Sequence, residues 1–526
     1  MKKITLYFIG VLFKFILINN SSAAVIFVQD TTDSGPGSLR TAVKIARNGD
    51  IIKFNPSLNN DSYLFLLTTG QIVIDKNITI VGLDNVTNNL KVKITSFNFS
   101  RIFYILPGRK LTLVNLWLVQ NFSVGNISSK PNFNGDGGAI FNKGMVTIKD
   151  CWITDQTIAN TAAKGAAIYN EGSLSVIDTY FAFNTATGFS VAKGGSLYNT
   201  GRVSLERSYF SSSGTDAPVS KGAGIYNEGI ITMSQSSVYN CYSVKDCEGI
   251  GISNAQNGSF SLVNSTVSAN LLNPGSYVLG GGVFNAGKID LVNATISENS
   301  ATIGGGIASV GKLTINSTIV AQNTAIIKGQ DGYTSGLIKD KGYNLIGVIN
   351  DFNLTSCTNI YGTSVIPLDP LIQIVIYGNG SFPGVAYEPL QNSPAINNGD
   401  PLSHLKVDQL GNPRPFYGRI DIGSVEYTGS LPTAFYSKER EALLSSELKS
   451  VSMSPNPVQD ILIISEPSED LQITIVDITG NIVYQDRWSG LDEGKVQLSF
   501  LIPGLYIVRL ETFKNQLVRV EKILKL

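Results

Sequence analysis

From residue 137 to 309 the apolar and polar positions recur with a period of about 28 residues. Each period opens on small residues, an aliphatic, usually an aromatic, and an Asn. The copies read GGAIFN at 137–142, GAAIYN at 165–170, GGSLYN at 194–199, GAGIYN at 222–227, GIGISN at 249–254 and GGGVFN at 280–285, with a weakened GGGIAS at 304–309. Asn142, Asn170, Asn199, Asn227, Asn254 and Asn285 are spaced 28, 29, 28, 27 and 31 apart. A second apolar run alternates with period two: Val146/Ile148, Leu174/Val176, Val203/Leu205, Ile231/Met233, Phe260/Leu262, Ile289/Leu291, Leu313/Ile315. A third centres on Ile153, Phe181, Phe210, Val238, Val267, Ile296 and Ile319. Period two is the signature of a strand, and Gly, Asn and Ser between the runs mark turns.

Three short strands with their turns fill one period, which leaves no length for a crossover helix. Each strand must then pair with its equivalent one coil further on. The predicted fold class is all-β: a parallel β-helix of three-strand coils. The column Ile140, Ile168, Leu197, Ile225, Ile252, Val283 and Ile307 points inward. The Asn after it falls at a corner, where amides one coil apart, roughly 4.8 Å, hydrogen-bond along the axis. Leucine-rich and helical-pair repeats need patterns this chain lacks, and a propeller blade needs a longer period.

The ends read differently. Residues 1–24 form a secretory leader: Lys2 and Lys3, an apolar stretch over 4–18, then Ser22-Ala23-Ala24, with cleavage after Ala24. Lys14 interrupts the apolar stretch, which is short for a bilayer span. Residues 25–60 form an N-terminal cap with a short amphipathic helix. Ser38 is its N-cap, Leu39, Ala42, Val43 and Ala46 share a face, and Asn48-Gly49 stops it. The β-helix proper covers 61–365, and a C-terminal cap covers 366–427. Residues 428–450, with a charged run at 438–441, form a linker. Residues 451–526 hold about seven short strand-like runs, with Gly480-Asn481 as a hairpin turn, and predict a small β-sandwich.

Composition narrows the chemistry. Forty basic and forty acidic residues balance, which argues against a nucleic-acid binder. The one histidine, His404, lies outside the repeats, which excludes a His-based metal site or a Ser-His-Asp triad within them. Cys151, Cys241, Cys247 and Cys357 form no CxxC motif and allow three full disulfide pairings. Asp150, Asp178 and Glu206 recur before the third strand, with Lys149 and Arg207 beside them. Asn264, Asn293 and Asn316 take comparable places in later coils, which marks a turn position. Arg414 and Asp421 form a candidate structural pair. No catalytic residue, metal or cofactor is assigned.

The aromatics suggest a binding face instead. Phe141, Tyr169, Tyr198, Tyr226 and Phe284 follow the inward aliphatics, so parity turns them outward. Trp152, Tyr180 and Tyr209 form a second outward column. Stacked rings bind sugars by face packing, with Tyr hydroxyls free to hydrogen-bond; the alternative is that they stabilise the sheet.

The SGPGSLRTAV and NGDIIKF opening and the glycine-rich repeats resemble secreted right-handed β-helix proteins with the pectin-lyase fold, and the repeats are similar to those of polymorphic outer-membrane proteins. LQNSPAINNGD at 390–400, DQLGNPRP at 408–415 and IDIGSVEY at 420–427 resemble the choice-of-anchor ending of such proteins. The paired-Asp and Gly-His-Gly motifs of polygalacturonase-like hydrolases are absent. SPNPVQD at 454–460, VDITGNIV at 476–483 and LIPGLYIVRL at 501–510, with the basic tail at 521–525, resemble the type A C-terminal sorting domain of the type IX secretion system. Its motif residues map onto Pro455, Asn456, Pro457, Gly480, Gly504, Tyr506 and Lys522. This resemblance implies a Bacteroidetes-type source, export across both membranes through that machinery, and a cell-surface or extracellular location. In that family a sortase-like peptidase usually removes the domain. The reading is a glycan-binding or adhesion protein; a polysaccharide lyase or glycoside hydrolase is the alternative, and a passive surface rod a further one.

Overall fold

Parity decides how each coil is built. In Ser173–Ile177, Leu174 and Val176 point into the core while Ser175 and Ile177 face out, and the same alternation recurs in the equivalent strands from Met145–Lys149 to Lys288–Val292. The structure, a computed structural model, describes residues 23–58, 64–83, 91–96, 100–120, 135–377 and 384–429, and 452–454, 458–465, 471–477, 482–488, 494–512 and 517–525. The leader up to residue 22, the linker from 430 to 450, Pro455, Asn456, Pro457 and Gly480 lie outside the described residues. The chain divides into two units, Met1–Thr428 and Gly429–Leu526.

The first unit is an all-β solenoid of about 10 turns. Each strand pairs in parallel with its counterpart one coil on, as in Ile168↔Leu197, Leu174↔Val203 and Phe181↔Phe210. The first-run sheet has 10 strands, the second-run and third-run sheets 12 each. Where three strands per coil are expected, a fourth sheet of 9 strands appears. It is built from the stretches between the third run and the next glycine pair, including Thr157–Lys164 and Thr185–Lys193. Those stretches look like polar turns in sequence, yet they are long enough to pair with their neighbours. Ile158, Ala163, Ala186, Ala192 and Ala217 form a small core beneath them.

The main core runs unbroken along the axis, with Phe181 stacked on Phe210 at 4.4 Å. Each such buried side chain contributes about 1.5–3 kcal/mol. One expected member is misplaced. Val320, not Ile319, aligns with Ile296, because Thr295 pairs with Ile319. A one-residue slip flips the face, and Ile319 packs outward against Ile372 and Ile422.

Three corners per coil turn through left-handed backbone. Gly137, Gly165, Gly194, Gly222, Gly249, Gly280 and Gly304 hold φ between 59° and 71° at one of them. Glycine is required there: a Cβ on Gly194 would lie 2.3 Å from the Leu197 carbonyl oxygen. The second corner holds Asp150, Asp178, Arg207, Gln235, Asn264, Asn293 and Ser317, all at positive φ. Glu206 and Asn316 each sit one residue earlier than the expected turn position, at the end of a strand.

The asparagine column makes the axial ladder. Each Nδ2 donates to the next Oδ1 from Asn142 through Asn170, Asn199, Asn227 and Asn254 to Asn285, at 2.7–2.8 Å. Asn285 closes it on the Ser309 hydroxyl. A second ladder, Asn270 to Asn299 to Asn323, ends on the buried carboxylate of Asp331. Both satisfy polar groups that are costly to bury alone.

At the N-terminal end, Ser38 caps helix Leu39–Ile45, whose buried face covers the first core layer. The helix ends at Ile45, ahead of Asn48-Gly49, because Ala46 is already extended. At the other end the 366–427 segment does more than cap. Its hairpin, Ile372–Tyr377 with Gly384–Pro389, and the chain after it lie along the outside of the third-run sheet. Asn264 and Asn293 donate to the carbonyls of Val407 and Asp421, and Thr266 donates to Gln409.

The second unit holds a three-stranded and a four-stranded antiparallel sheet. They share one core that includes Leu462, Ile475, Val496, Val508 and Leu510. Strands Leu471–Asp477 and Ile482–Trp488 form the expected hairpin.

Candidate functional site

Both aromatic columns fall on the outer faces of their sheets, in register from coil to coil. In the first-run sheet, Phe141, Tyr169, Tyr198 and Tyr226 stack in sequence with ring centroids 4.6, 4.8 and 5.3 Å apart. The column extends one coil further than expected, to Tyr104, 5.4 Å from Phe141. It is interrupted after Tyr226, where the register puts Ser253 ahead of Phe284.

Outward does not mean exposed. Tyr198 and Tyr226 are each 4% exposed and Phe284 7%. Side chains from neighbouring strands roof the two tyrosines. Lys164 lies 5.6 Å above the Tyr198 ring and Lys193 4.7 Å above Tyr226. Glu228 accepts from both phenols, at 3.1 and 2.9 Å, and pairs with Lys193 at 3.3 Å. Burial, and then the negative charge of Glu228, push the Tyr198 phenol well up. Burial also works against the charge on Glu228, but the Tyr226 hydrogen bond and the Lys193 ammonium outweigh it and hold the carboxyl below its ordinary range. The expected row of free hydroxyls is therefore spent inside the protein. Phe141 and Tyr169 alone of the expected column stay half-exposed.

The third-run column divides in the same way. Tyr180 is buried, its hydroxyl 2.5 Å from Ser211 Oγ and 3.1 Å from the Tyr239 hydroxyl. Tyr209 packs edge-on against Tyr377 of the hairpin at 5.3 Å. Trp152 stays half-exposed, in edge contact at 5.3 Å with Trp117, a member that the repeat spacing alone did not reveal. Lys93 sits 4.5 Å over Trp117 and Lys91 5.4 Å over Trp152. Half-exposed rings with cations beside them thus concentrate in the coils between residues 104 and 169.

The carboxylate candidates occupy corners. Asp178 binds Arg207 of the next coil at 2.6 Å, and Arg207 also contacts Glu206. Asp150 pairs with the buried Lys91 at 3.0 Å. Cys151, Cys241 and Cys247 are buried free thiols, pushed up to about 12 by burial, and Cys357 is an exposed free thiol. Arg414 pairs with Glu426, at 2.8 Å, rather than with Asp421, whose carboxylate caps the Asn397 and Tyr427 amides. No helix among the described residues is long and apolar enough to cross a membrane.

In the second unit Tyr506 is buried and donates to the Ile502 carbonyl at 2.9 Å. Gly504 opens strand Gly504–Thr512, and Lys522 lies opposite Ile507 in the last strand.

Comparison with known proteins bears on the same segment. Residues 452–525 match the family described as the secretion system C-terminal sorting domain. No curated protein matches the chain. Among solved structures, a chain of PorZ, an essential bacterial surface component of the type-IX secretion system of Porphyromonas gingivalis, aligns at 20% identity with a TM-score of 0.14. That alignment covers 16% of this chain and 12% of that one. With its stacked parallel coils and that terminal domain, the chain is a β-solenoid protein with a type IX secretion C-terminal sorting domain, directed to the cell surface or exterior.

Proposed function

We propose that the exported solenoid is a glycan-binding or adhesion protein whose contact face lies on the coils between residues 104 and 169. The observation that carries this reading is the half-exposed pair Trp117 and Trp152, with Lys93 and Lys91 over the rings. Flat rings pack against the CH faces of sugars, and the Lys93 ammonium over Trp117 favours acidic ones, the buried Lys91 being paired with Asp150. Phe141 and Tyr169 form a second half-exposed pair in the same coils. The rest of the two columns, Tyr198, Tyr226, Phe284, Tyr180 and Tyr209, serves packing. Polysaccharide is the proposed partner at the cell surface, beside the secretion machinery that the terminal domain implies.

The test is binding of the secreted protein to a panel of acidic and neutral polysaccharides, with Trp152→Ala and Tyr169→Ala alongside. The reading expects both variants to stay folded and to lose affinity. Binding equal to that of the unaltered protein, or no binding to any member of the panel, removes it.

A further inference from the structure

The fourth sheet, which the repeat pattern does not announce, carries an aromatic ring of a different kind. Tyr242 opens the short strand Tyr242–Ser243. Register sets it beside Gly214, which pairs in turn with Thr185, and Thr185 with Thr157; Leu271 follows Tyr242 on the next coil. A Cβ on Gly214 would lie 2.3 Å from Cζ of Tyr242 and 2.6 Å from Cε2, so the ring lies across the glycine itself. Its hydroxyl reaches across to Thr185 Oγ1 at 3.1 Å. The ring is held from below and at its tip, yet Tyr242 remains 42% exposed. Tyr198 and Tyr226, at the outer face of another sheet, keep a tenth of that.

The register column itself is uncharged; charge begins two residues on, with Asp216 on the strand face of Gly214 and exposed Lys245 and Asp246 after Tyr242–Ser243. Phe183 and Leu271 are both exposed beside this column, and Thr157, Thr185, Gly214, Tyr242 and Leu271 include no ionisable group other than the phenol. Gly214 has ordinary backbone, with φ outside the left-handed region, so conformation does not demand a glycine there. The space taken by the Tyr242 ring does.

We propose that Tyr242, laid over Gly214 and anchored on Thr185, is a second sugar-binding platform, specific for a neutral glycan. This rests on the glycan-binding reading and adds a site and a ligand class to it. A pyranose CH face packs on a flat ring. Fixing that ring in advance removes the ordering cost of binding, and the Thr185 and Tyr242 hydroxyls supply polar contacts at the ring's edge. A column without cations gives an acidic chain no counter-charge, unlike the lysine-flanked tryptophans.

The experiment measures binding of the full secreted protein to laminarin and mannan, as neutral probes, and to polygalacturonate, as an acidic one. Tyr242→Ala is expected to weaken neutral-glycan binding by about tenfold or more. Tyr242→Phe keeps the ring and most of the affinity. Gly214→Ala lifts the ring and is expected to weaken binding as Tyr242→Ala does, with circular dichroism and melting temperature recorded for each variant. If folded Tyr242→Ala binds the neutral probes as well as the unaltered protein, or if only polygalacturonate binds, the platform is overturned while the glycan reading stands. If none of the three probes binds, both fall.

Discussion

Asn170 donates its side-chain amide to Oδ1 of Asn199, 2.7 Å away and one coil further along, and Asn199 repeats the gesture to Asn227 at 2.8 Å. The same Asn199 Oδ1 accepts the Gly201 amide at 3.0 Å, so a single side chain ties the corner to itself and to both neighbours. Asn199→Ala removes all of these contacts, while the Asn170 amide keeps the Gly172 and Arg202 carbonyls. Each lost hydrogen bond costs about 0.5–1.5 kcal/mol, so a loss of about 2 kcal/mol or more is expected from the set. Urea unfolding checks it; an unchanged midpoint would show that the ladder is decorative.

Gly194 turns the corner at φ +67°. Gly194→Ala places a methyl against the Leu197 carbonyl and forces a strained backbone, costing about 1–3 kcal/mol. The contrast is Asn264→Gly at the second corner. It also sits at positive φ, but there the loss comes from its side-chain bonds to Val407 and Arg414. Melting temperatures of the pair, together with limited proteolysis of the 384–427 segment, separate the two causes: only Asn264→Gly is expected to expose that segment.

Arg414 and Glu426 pair at 2.8 Å with both side chains essentially inaccessible. Breaking a buried pair by deleting one partner costs about 3–5 kcal/mol, because the other charge is left uncompensated. Glu426→Ala is therefore expected to lower the melting temperature and loosen the flanking segment from the third-run sheet. Hydrogen exchange at residues 407–427 reports the loosening, and protection equal to that of the unaltered protein would contradict it.

Asp331 ends the second amide ladder and is buried, accepting from Asn323 and from the Val348 amide. Burial raises its carboxyl from 3.8 to about 6 despite those bonds. Between these values the folded chain holds a proton that the unfolded chain has lost. The contribution of Asp331 to stability is then fully present below about pH 4 and is lost as the pH rises through 6, by at most about 1.4 kcal/mol per pH unit. Asp331→Asn removes this contribution. Melting curves from pH 4 to 7 are expected to show a steeper decline for the unaltered protein than for the variant; parallel curves would refute the assignment.

Much of the solenoid is legible in the chain because its information is local and repeated. Leu174 and Val176 recur as Val203 and Leu205, so one coil predicts the next, and a corner Asn that recurs every 28 residues or so has few roles besides a ladder. The fourth sheet was not legible. Stretches such as TATGFSVAK at 185–193 carry turn-like composition and become strands because the neighbouring coil supplies a partner. Register was legible only to within one residue near the C-terminal coils, where Ile319 and Val320 are both apolar and either one fits the core pattern.

The candidate site divides along the same line. Parity along the strand determined by itself that Phe141, Tyr169, Tyr198 and Tyr226 face outward, and the terminal motifs alone pointed to export. Exposure was decided only by tertiary structure. Whether an outward ring meets solvent depends on what arrives over it from elsewhere in the chain: Lys193 and Glu228 over Tyr226, Tyr377 against Tyr209, and the Thr185 hydroxyl at the tip of the exposed Tyr242. Periodicity fixes which way a side chain points, because that is a property of the backbone. It carries no information about the roof, which is made by residues one coil away or, as with Tyr377 against Tyr209, far along the chain.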